Sequence, residues 1–360
     1  MKINCSKSQL KKVGEKLRHG CTLSEQEETI LAEFRSGHRK ILKAFRRYHD
    51  TLHKSSRWKT TEILFASRLK KRDTLIHKLR SRYQQMDLSR MNDVAGCRFI
   101  FQTQQELNAY RKEFIKRLER NKHFIRLHAG QYDYSKSPSP TGYRGIHDVY
   151  EEKTEDRVKA KIEVQYRTLT QHSWATSLEI WDQIHSNGVN GAKFGRENPR
   201  IQNLFCLYSE LLWRTFDCQN GNWGMKMTNK KLYDAIQKEE RELKVFEHLS
   251  QLEQEKIKIW PKLDTVKDLI LIFQKCESFM PKIQILPKDV EICSELLNAE
   301  VKNKDDTVFI QINPKILTRA YNNFFRDPHL FIKKVKVAMK KLYDDQKYKL
   351  FRKPLDKIFQ

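Results

Sequence analysis

Two segments of the chain alternate apolar and polar residues with the period of two that is typical of a β-strand. In NDVAGCRFIF (92–101), Cys97, Phe99 and Phe101 share one face of the strand, and Arg98 and Ile100, with Gln102 just beyond the stretch, share the other. In KIEVQYRT (161–168), the polar side chains share one face: Glu163, Gln165 and Arg167. A hydrophobic core does not favour such a polar row, so this strand face is a candidate site.

The rest of the first half has a mostly helical pattern. Up to about residue 83, apolar positions recur at helical spacing among Lys and Arg, which predicts helices only, with strands beginning at Cys97. Further helices are predicted at 104–121 and from Thr168. The apolar stripe of the second is interpreted as core packing: Trp174, Leu178 and Trp181. The apolar segment 201–216 predicts a helix that packs back on this unit.

Changes in the pattern of apolar and charged residues divide the chain into three parts. Residues 1–225 predict helices, a mixed α/β unit and a closing helix, 226–260 predict a charged helical linker, and 261–360 alternate short strand and helix candidates. We therefore predict an α/β fold, a mixed sheet flanked by helices, followed by a small α+β C-terminal domain.

Charge narrows the kind of partner. The chain has 70 Lys and Arg against 45 Asp and Glu, a formal net charge of +25. This is more than solubility requires, and it favours a polyanionic partner. Basic residues with interleaved aromatics lie on two predicted helical stretches, 38–50 and 110–126. The candidate phosphate-binding residues there are Lys40, Arg46, Arg47, Lys112, Lys116 and Arg120.

Cysteine usage and hydropathy indicate the compartment. Seven cysteines lie far apart without metal-binding spacing, so we expect neither disulfides nor zinc, and a reducing cytoplasmic environment. No apolar run approaches the length of a membrane span, and the first residues lack the apolar core of a secretory signal. We expect a soluble monomer without a membrane partner.

Two carboxylates and several cations carry the candidate chemistry. Asp93 and Glu163 are predicted on neighbouring strands of one sheet, and paired carboxylates with substrate phosphates are a common way of holding magnesium. The Arg and Lys residues around them suit a triphosphate, whose charge must be neutralised as it reacts. Each of these residues alone is typical of a solvated surface, so the prediction depends on their conjunction.

Four ordered motifs resemble the RelA/SpoT-type (p)ppGpp synthetase domain, which has a nucleotidyltransferase-like fold. They are SRLKKRDTLIHKL, DVAGCRFI, GYRGIH and IEVQYRT..QH, and together they cover roughly residues 65–182. The resemblance implies transfer of the β,γ-pyrophosphate of ATP to a ribose 3′-hydroxyl. The metal-binding His-Asp pair of bifunctional members is missing from SGHRKILKAFRRYHD, so a synthetase without hydrolase activity is implied.

The resemblance also implies a role for each matching residue. Arg68 and Arg98 would stack on the two faces of adenine, and Lys78 would hold ATP phosphates. Asp93 and Glu163 would hold Mg²⁺. Tyr143 would stack on the acceptor base. The acceptor and phosphate channel would be lined by Arg144, His147, Gln165 and Arg167.

Two departures from the alarmone-producing members indicate a different acceptor. The chain has SPSPTGY where those enzymes commonly have a lysine-proline-asparagine loop, and TQHSWATSLEIWD is more similar to the toxic small synthetases that modify the 3′-CCA end of tRNA. The charge of +25 agrees with a tRNA partner, and the two basic stretches become candidate tRNA-binding residues.

The two-domain plan resembles the fused toxin–antitoxin phage-defence proteins called CapRel. In that family a degenerate zinc-finger-like C-terminal domain covers the ATP site until a phage capsid protein binds. The resemblance implies an autoinhibitory aromatic pair at Tyr321 and Phe324, with Tyr348 and Phe351 as a rival pair. Two alternatives remain open: an alarmone synthetase that uses GDP or GTP, and a catalytically inactive RNA-binding protein. The intact pair of Asp93 and Glu163 argues against the second.

Overall fold

The chain is described by a computed structural model. It covers residues 3, 5–55, 57–80, 87–135, 137–155, 158–185, 198–218, 224–251, 268–273, 283–285, 306–312, 320 and 327–345. Only the backbone is described at 129–131, 183–184, 268–273, 283–285, 306–312 and 345. Within these ranges the helices are α1 (Lys7–His19), α2 (Glu25–Gly37), α3 (Arg39–His53), α4 (Arg72–Arg80), α5 (Gln104–Asn121), α6 (Leu169–His185), α7 (Pro199–Leu212), α8 (Asn229–Leu243), α9 (Val245–Ser250) and α10 (His329–Asp345). The strands are β1 (Leu64–Leu69), β2 (Ala95–Phe101), β3 (Phe124–Asp133), β4 (Ile146–Glu152), β5 (Lys161–Thr168), β6 (Asp268–Phe273), β7 (Ile283–Ile285) and β8 (Asp306–Ile312).

The eight strands form one mixed sheet in the order β3-β4-β5-β2-β1-β8-β6-β7. β2 and β5 run parallel, and every other neighbouring pair is antiparallel. This arrangement confirms the predicted α/β class with a mixed sheet and flanking helices.

One face of the sheet forms the main core. The alternation in β2 and β5 points Phe99 and Tyr166 to this face, where their rings stack with centroids 5.4 Å apart. Helices α3 and α5 cover them, and Phe45 and Phe114 of those helices belong to the same buried cluster. α5 begins at a capping box, because Thr103 accepts a hydrogen bond from the backbone N–H of Glu106 and Glu106 accepts one from Thr103.

A second buried cluster joins the C-terminal part, by which we mean the described residues beyond 260, to helices in the centre of the chain. α6, α7, α8, α9 and α10 all contribute to it, including Trp174, Phe205, Ile236 and Phe331. The prediction that the apolar segment 201–216 packs back is confirmed by α7. α8, which belongs to the predicted linker, packs on α7 in this cluster.

The expectation that only helices precede Cys97 was wrong. β1 is a strand, so Arg68 lies on the sheet and not at a helix start. β1 pairs with β2 on one side and with β8 on the other, so the C-terminal strands continue the sheet of the first half. None of the described helices is long and apolar enough to cross a membrane.

Candidate active site

The open face of the sheet carries a row of polar side chains, because residues opposite each other on neighbouring strands point to the same face. Gly96 of β2 lies between Arg68 of β1 and Glu163 of β5. One step along, Arg98 of β2 lies opposite Gln165 of β5, which in turn lies opposite His147 of β4. The sequence predicted the two faces of β2 and β5 correctly, and the register brings their polar residues into adjacent rows.

Two cavities meet at the carboxylates Asp93 and Glu163, which line both of them. The smaller, of about 70 Å³, is basic and lies over β1 and β2; its charged and polar lining includes Arg68, Lys70, Arg98 and Gln165. The larger, of about 530 Å³, is aromatic and lies beside β4 and α6; its lining includes Lys78, Tyr132, Tyr134, Tyr143, His147, Arg167 and Trp174. A group bound in one cavity and a group bound in the other would therefore meet at the two carboxylates.

Asp93 is held by two lysines just before β2 begins. Its Oδ2 accepts hydrogen bonds from Lys70 Nζ at 2.6 Å and from Lys78 Nζ at 2.9 Å. Burial alone would raise the pKa of Asp93, but the two ammonium groups lower it well below its usual range. Asp93 Oδ1 is buried and makes no hydrogen bond to the described residues. An ionised carboxylate with one uncommitted oxygen is the donor type that Mg²⁺ prefers.

A hydrogen-bonded chain connects the two cavities through Gln165. Its Oε1 accepts from Arg98 Nε at 3.3 Å and from Arg167 Nη2 at 3.0 Å. Its Nε2 donates to Glu163 Oε1 at 2.5 Å. Gln165 thereby fixes the guanidinium groups on either side of it and orients Glu163.

Tyr143 lies against the polar row and lines the larger cavity. His147 Nε2 is 2.5 Å from its hydroxyl, and Arg167 Nε donates to the same oxygen at 3.1 Å. Burial raises the pKa of Tyr143, although Arg167 opposes the shift. Burial also lowers the pKa of His147, and the Glu163 carboxylate, whose Oε1 lies 3.7 Å from His147 Nδ1, opposes this shift. The phenol is thus neutral and held in place, which leaves its ring as part of the cavity wall.

Arg144 does not reach this cavity. Its side chain is buried on the other side of the loop, where Nη2 donates to Glu210 Oε2 at 2.8 Å and the guanidinium lies 4.6 Å from the Trp213 ring centroid. Burial lowers the pKa of Arg144 and Glu210 opposes the shift. The predicted role of Arg144 in the acceptor channel was wrong; the residue anchors the loop to α7 and to the turn after it.

Four of the six basic candidates line one groove between α3 and α5, which we call the α3/α5 groove: Lys40, Arg47, Lys116 and Arg120. The groove measures about 1000 Å³ and lies on the helix-covered face, opposite the catalytic cavities. Arg46 is not part of it, because its guanidinium packs 5.3 Å from the Phe65 ring centroid. Lys112 is exposed on α5 outside the groove lining.

Several site residues were missed by the sequence analysis. Lys70 follows β1, and the period of two would have placed it with Arg68 had this segment been recognised as a strand. Tyr132 and Tyr134 were passed over because they sit at the end of a strand beside a loop. Trp174 belongs to the predicted core stripe and also forms one wall of the larger cavity.

The C-terminal part contacts Arg98, which lines the smaller cavity. Arg98 Nη1 donates to the carbonyl oxygen of Ala320 at 3.4 Å, and Ala320 is buried. β8 pairs with β1 in a register that sets Ile310 opposite Arg68. The predicted aromatic pairs, Tyr321 with Phe324 and Tyr348 with Phe351, lie outside the described residues.

Comparisons with known proteins give a family match and several similar solved structures. A family model described as the region found in RelA / SpoT proteins matches residues 67–181, which run from β1 into α6. The similar solved structures include small alarmone synthetase 1 from Bacillus subtilis bound to its product pppGpp, with 19% identity over 48% of this chain and 86% of that chain and a TM-score of 0.39. They also include a GTP pyrophosphokinase family protein from Streptococcus pneumoniae, with 19% identity over 51% and 85% and a TM-score of 0.35. No curated protein matches the chain.

The site and the family match define a pyrophosphotransferase. Residues 67–181, which match the RelA/SpoT family model, carry the carboxylates Asp93 and Glu163 and the cations around them.

Proposed function

We propose that the protein transfers the β,γ-pyrophosphate of ATP to the 3′-hydroxyl of the CCA end of tRNA and so blocks translation. The observation that carries the transfer chemistry is the pair of cavities sharing Asp93 and Glu163. The smaller cavity supplies the cations for ATP, and the larger supplies aromatic walls for the terminal nucleoside of the acceptor.

On the donor side, Arg68 and Arg98 would enclose the adenine, since guanidinium planes stack on bases. Lys70 and Lys78 would neutralise the triphosphate, since both ammonium groups lie at the junction of the cavities. On the acceptor side, Tyr143 would stack on the terminal base, while Arg167 holds its hydroxyl.

Asp93 and Glu163 would hold Mg²⁺. The fit rests on their oxygen donors and on Asp93 Oδ1, which has no hydrogen bond within the described residues. Magnesium bound there would neutralise charge on the transferred phosphates.

The α3/α5 groove and the net charge favour a polymeric acceptor over a free nucleotide. The phosphates of a nucleotide confined to the larger cavity would not reach a basic groove on the opposite face of the sheet. A tRNA has enough phosphates to contact both the larger cavity and the α3/α5 groove.

Autoinhibition by the C-terminal part is the second element of the proposal. Two contacts support this: Arg98 donates to the Ala320 carbonyl oxygen, and β8 pairs with β1, which carries Arg68. Binding of a phage protein, such as a capsid protein, would withdraw it and release the ATP site.

The alternative is an alarmone synthetase that uses GDP or GTP. The larger cavity favours this candidate, because about 530 Å³ lies within the usual range for small-molecule sites and would accommodate one nucleotide.

The test offers ATP labelled in the β- or γ-phosphate together with tRNA, GDP or GTP. We expect label on the 3′ end of intact tRNA, loss of label when the CCA end is trimmed, and a steep fall of the rate with salt if ~6–10 phosphates are engaged. Asp93→Asn and Glu163→Gln should abolish transfer without unfolding the protein, whereas Glu151→Gln on β4, outside both cavities, should not. Label on GDP or GTP alone, with tRNA inert at low salt, would establish the alternative.

A further inference from the structure

The α3/α5 groove has the composition of a phosphate-binding surface. Six basic side chains line it against two carboxylates, Glu113 and Glu152. The basic set is Lys40, Arg47, Lys116, Arg117, Arg120 and Lys153. Tyr48 and Phe124 add aromatic surface. A cationic groove with aromatic side chains is complementary to nucleic acid.

Strand β3 connects this groove to the larger catalytic cavity. Phe124, its first residue, lines the groove, whereas Tyr132 near its end and Tyr134 just beyond it line the cavity. Phe124 lies opposite Glu152 of β4 and Tyr132 lies opposite His147, five residues away on β4. At ~3.3 Å per residue, the step from Phe124 to Tyr132 therefore spans roughly 17 Å. β3 pairs only with β4 among the described strands, so its other edge faces outward.

An exposed apolar side chain and two rings, His128 exposed and Tyr132 half-buried, lie along this strand. Ile125 is 42% exposed. The rings of His128 and Tyr132 approach edge to face with centroids 6.3 Å apart, at the bulge where the β3/β4 register shifts. Flat rings near an open edge are the usual supports for unpaired bases, because every base has a face that can stack.

We propose that the RNA acceptor runs from the larger cavity along the outer edge of β3, with its unpaired CCA end at Tyr132 and with phosphates of the duplex behind it in the α3/α5 groove. This inference rests on the proposed RNA acceptor and adds how the polymer is oriented. Roughly 17 Å corresponds to about five stacked nucleotides at ~3.4 Å per step. An RNA shorter than this contacts the cavity alone, and a longer one contacts both sites.

The length dependence tests this path with the full-length protein. Synthetic RNA hairpins that end in single-stranded CCA are prepared with stems of increasing length, and transfer from labelled ATP is measured as kcat/KM. We expect the value to rise at least tenfold once the stem reaches the groove and to level off beyond it. In K116E/R120E the kcat/KM for long hairpins divided by that for short hairpins should fall toward one. In the control K11E/K12E, on α1 outside the groove, this ratio of kcat/KM values should stay as in the wild type.

A second pair of variants tests the stacking support. Tyr132→Ala should lower kcat/KM for the hairpins by about 5- to 150-fold, since stacking on one aromatic ring is worth ~1–3 kcal/mol per base. Tyr132→Phe should keep most of the activity, because the ring is retained. Equal losses in both variants would indicate a role of the hydroxyl and would contradict stacking.

The outcomes separate this inference from the proposed function. Labelled hairpins with no length dependence, or a ratio that K116E/R120E leaves unchanged, would overturn the path along β3 and leave the RNA acceptor standing. Hairpins and tRNA that both stay unlabelled while GDP is labelled would overturn the two together.

Discussion

Lys70 Nζ lies 2.6 Å from Asp93 Oδ2 at the end of the sheet where β1 stops and β2 starts. The backbone brings them together, because Leu69 pairs with Ala95 and Lys70 N–H donates to the Val94 carbonyl at 2.8 Å. Burial lowers the pKa of Lys70, and the carboxylate of Asp93 opposes the shift. The pair keeps Asp93 ionised in a site where burial alone would favour the neutral acid.

Replacing this lysine should affect ATP binding and the pH dependence together. In Lys70→Met the phosphates lose a charged donor, which costs roughly 10- to 100-fold in ATP affinity. The pKa of Asp93 also rises, because one of the two groups that lower it is removed. The acid limb of the kcat/KM profile should therefore move to higher pH. Lys71→Met, one residue further and outside the cavity linings, should change neither quantity, and an unshifted acid limb in Lys70→Met would contradict this role.

Gly96 offers a test of where ATP approaches the sheet. Among the described residues, a Cβ built at Gly96 meets only the Glu163 carbonyl oxygen, at 3.8 Å, which is an ordinary contact. Gly96→Ala should therefore fold with unchanged or slightly higher thermal stability. The added methyl group would occupy the smaller cavity, so we expect ATP affinity to fall by roughly 10- to 200-fold. Calorimetric titration with a non-hydrolysable ATP analogue measures this, and wild-type affinity would show that the nucleotide lies elsewhere.

The faces of β2 and β5 could be predicted because each is a regular alternation of apolar and polar residues. β1 could not, since its six residues carry Ser67 and Arg68 inside a basic stretch, and so short a run does not separate helix from strand. Missing β1 also hid Lys70. The partner of Arg144 lies 66 residues away, at Glu210, and no local pattern shows to which side a loop residue turns.

Disrupting β8 should activate the enzyme if the C-terminal part inhibits it. Ile310 lies opposite Arg68 on β1 and opposite Leu269 on β6, so Ile310→Pro would break a ladder inside the sheet. We expect faster transfer and greater toxicity than in the wild type. Ile283→Pro on β7, at the end of the sheet order, is the matched control and should leave both unchanged.

Deleting residues 261–360 tests autoinhibition less cleanly than Ile310→Pro does. α10 buries Phe331, Val335 and Met339 in the cluster shared with α6 and α7, so the deletion would expose that cluster. Hydrogen exchange of the β1 backbone reports whether β8 has been released in Ile310→Pro. Release without any gain in activity would refute autoinhibition through this contact.

Glu240 of α8 makes the stability depend on pH in a direction opposite to most carboxylates. Its side chain is buried, accepts from the Tyr208 hydroxyl of α7 and the Phe246 N–H of α9, and burial raises its pKa from 4.5 to about 8. Glu240 therefore contributes stability that is fully present below pH 4.5 and is lost as the pH rises to 8. Between these pH values the carboxyl ionises in the unfolded chain and stays largely neutral in the folded one.

The expected result is a difference in slope between two stability curves. From pH 5 to pH 8 the wild type should lose roughly 4 kcal/mol relative to Glu240→Gln, whose amide does not ionise in either state. Chemical denaturation at several pH values measures the free energy of unfolding of both proteins. Glu242→Gln, on the exposed side of α8 beside Arg200, should run parallel to the wild type. Parallel curves for Glu240→Gln as well would mean that Glu240 is ionised in the fold, and that its contact with Tyr208 is made by a carboxylate.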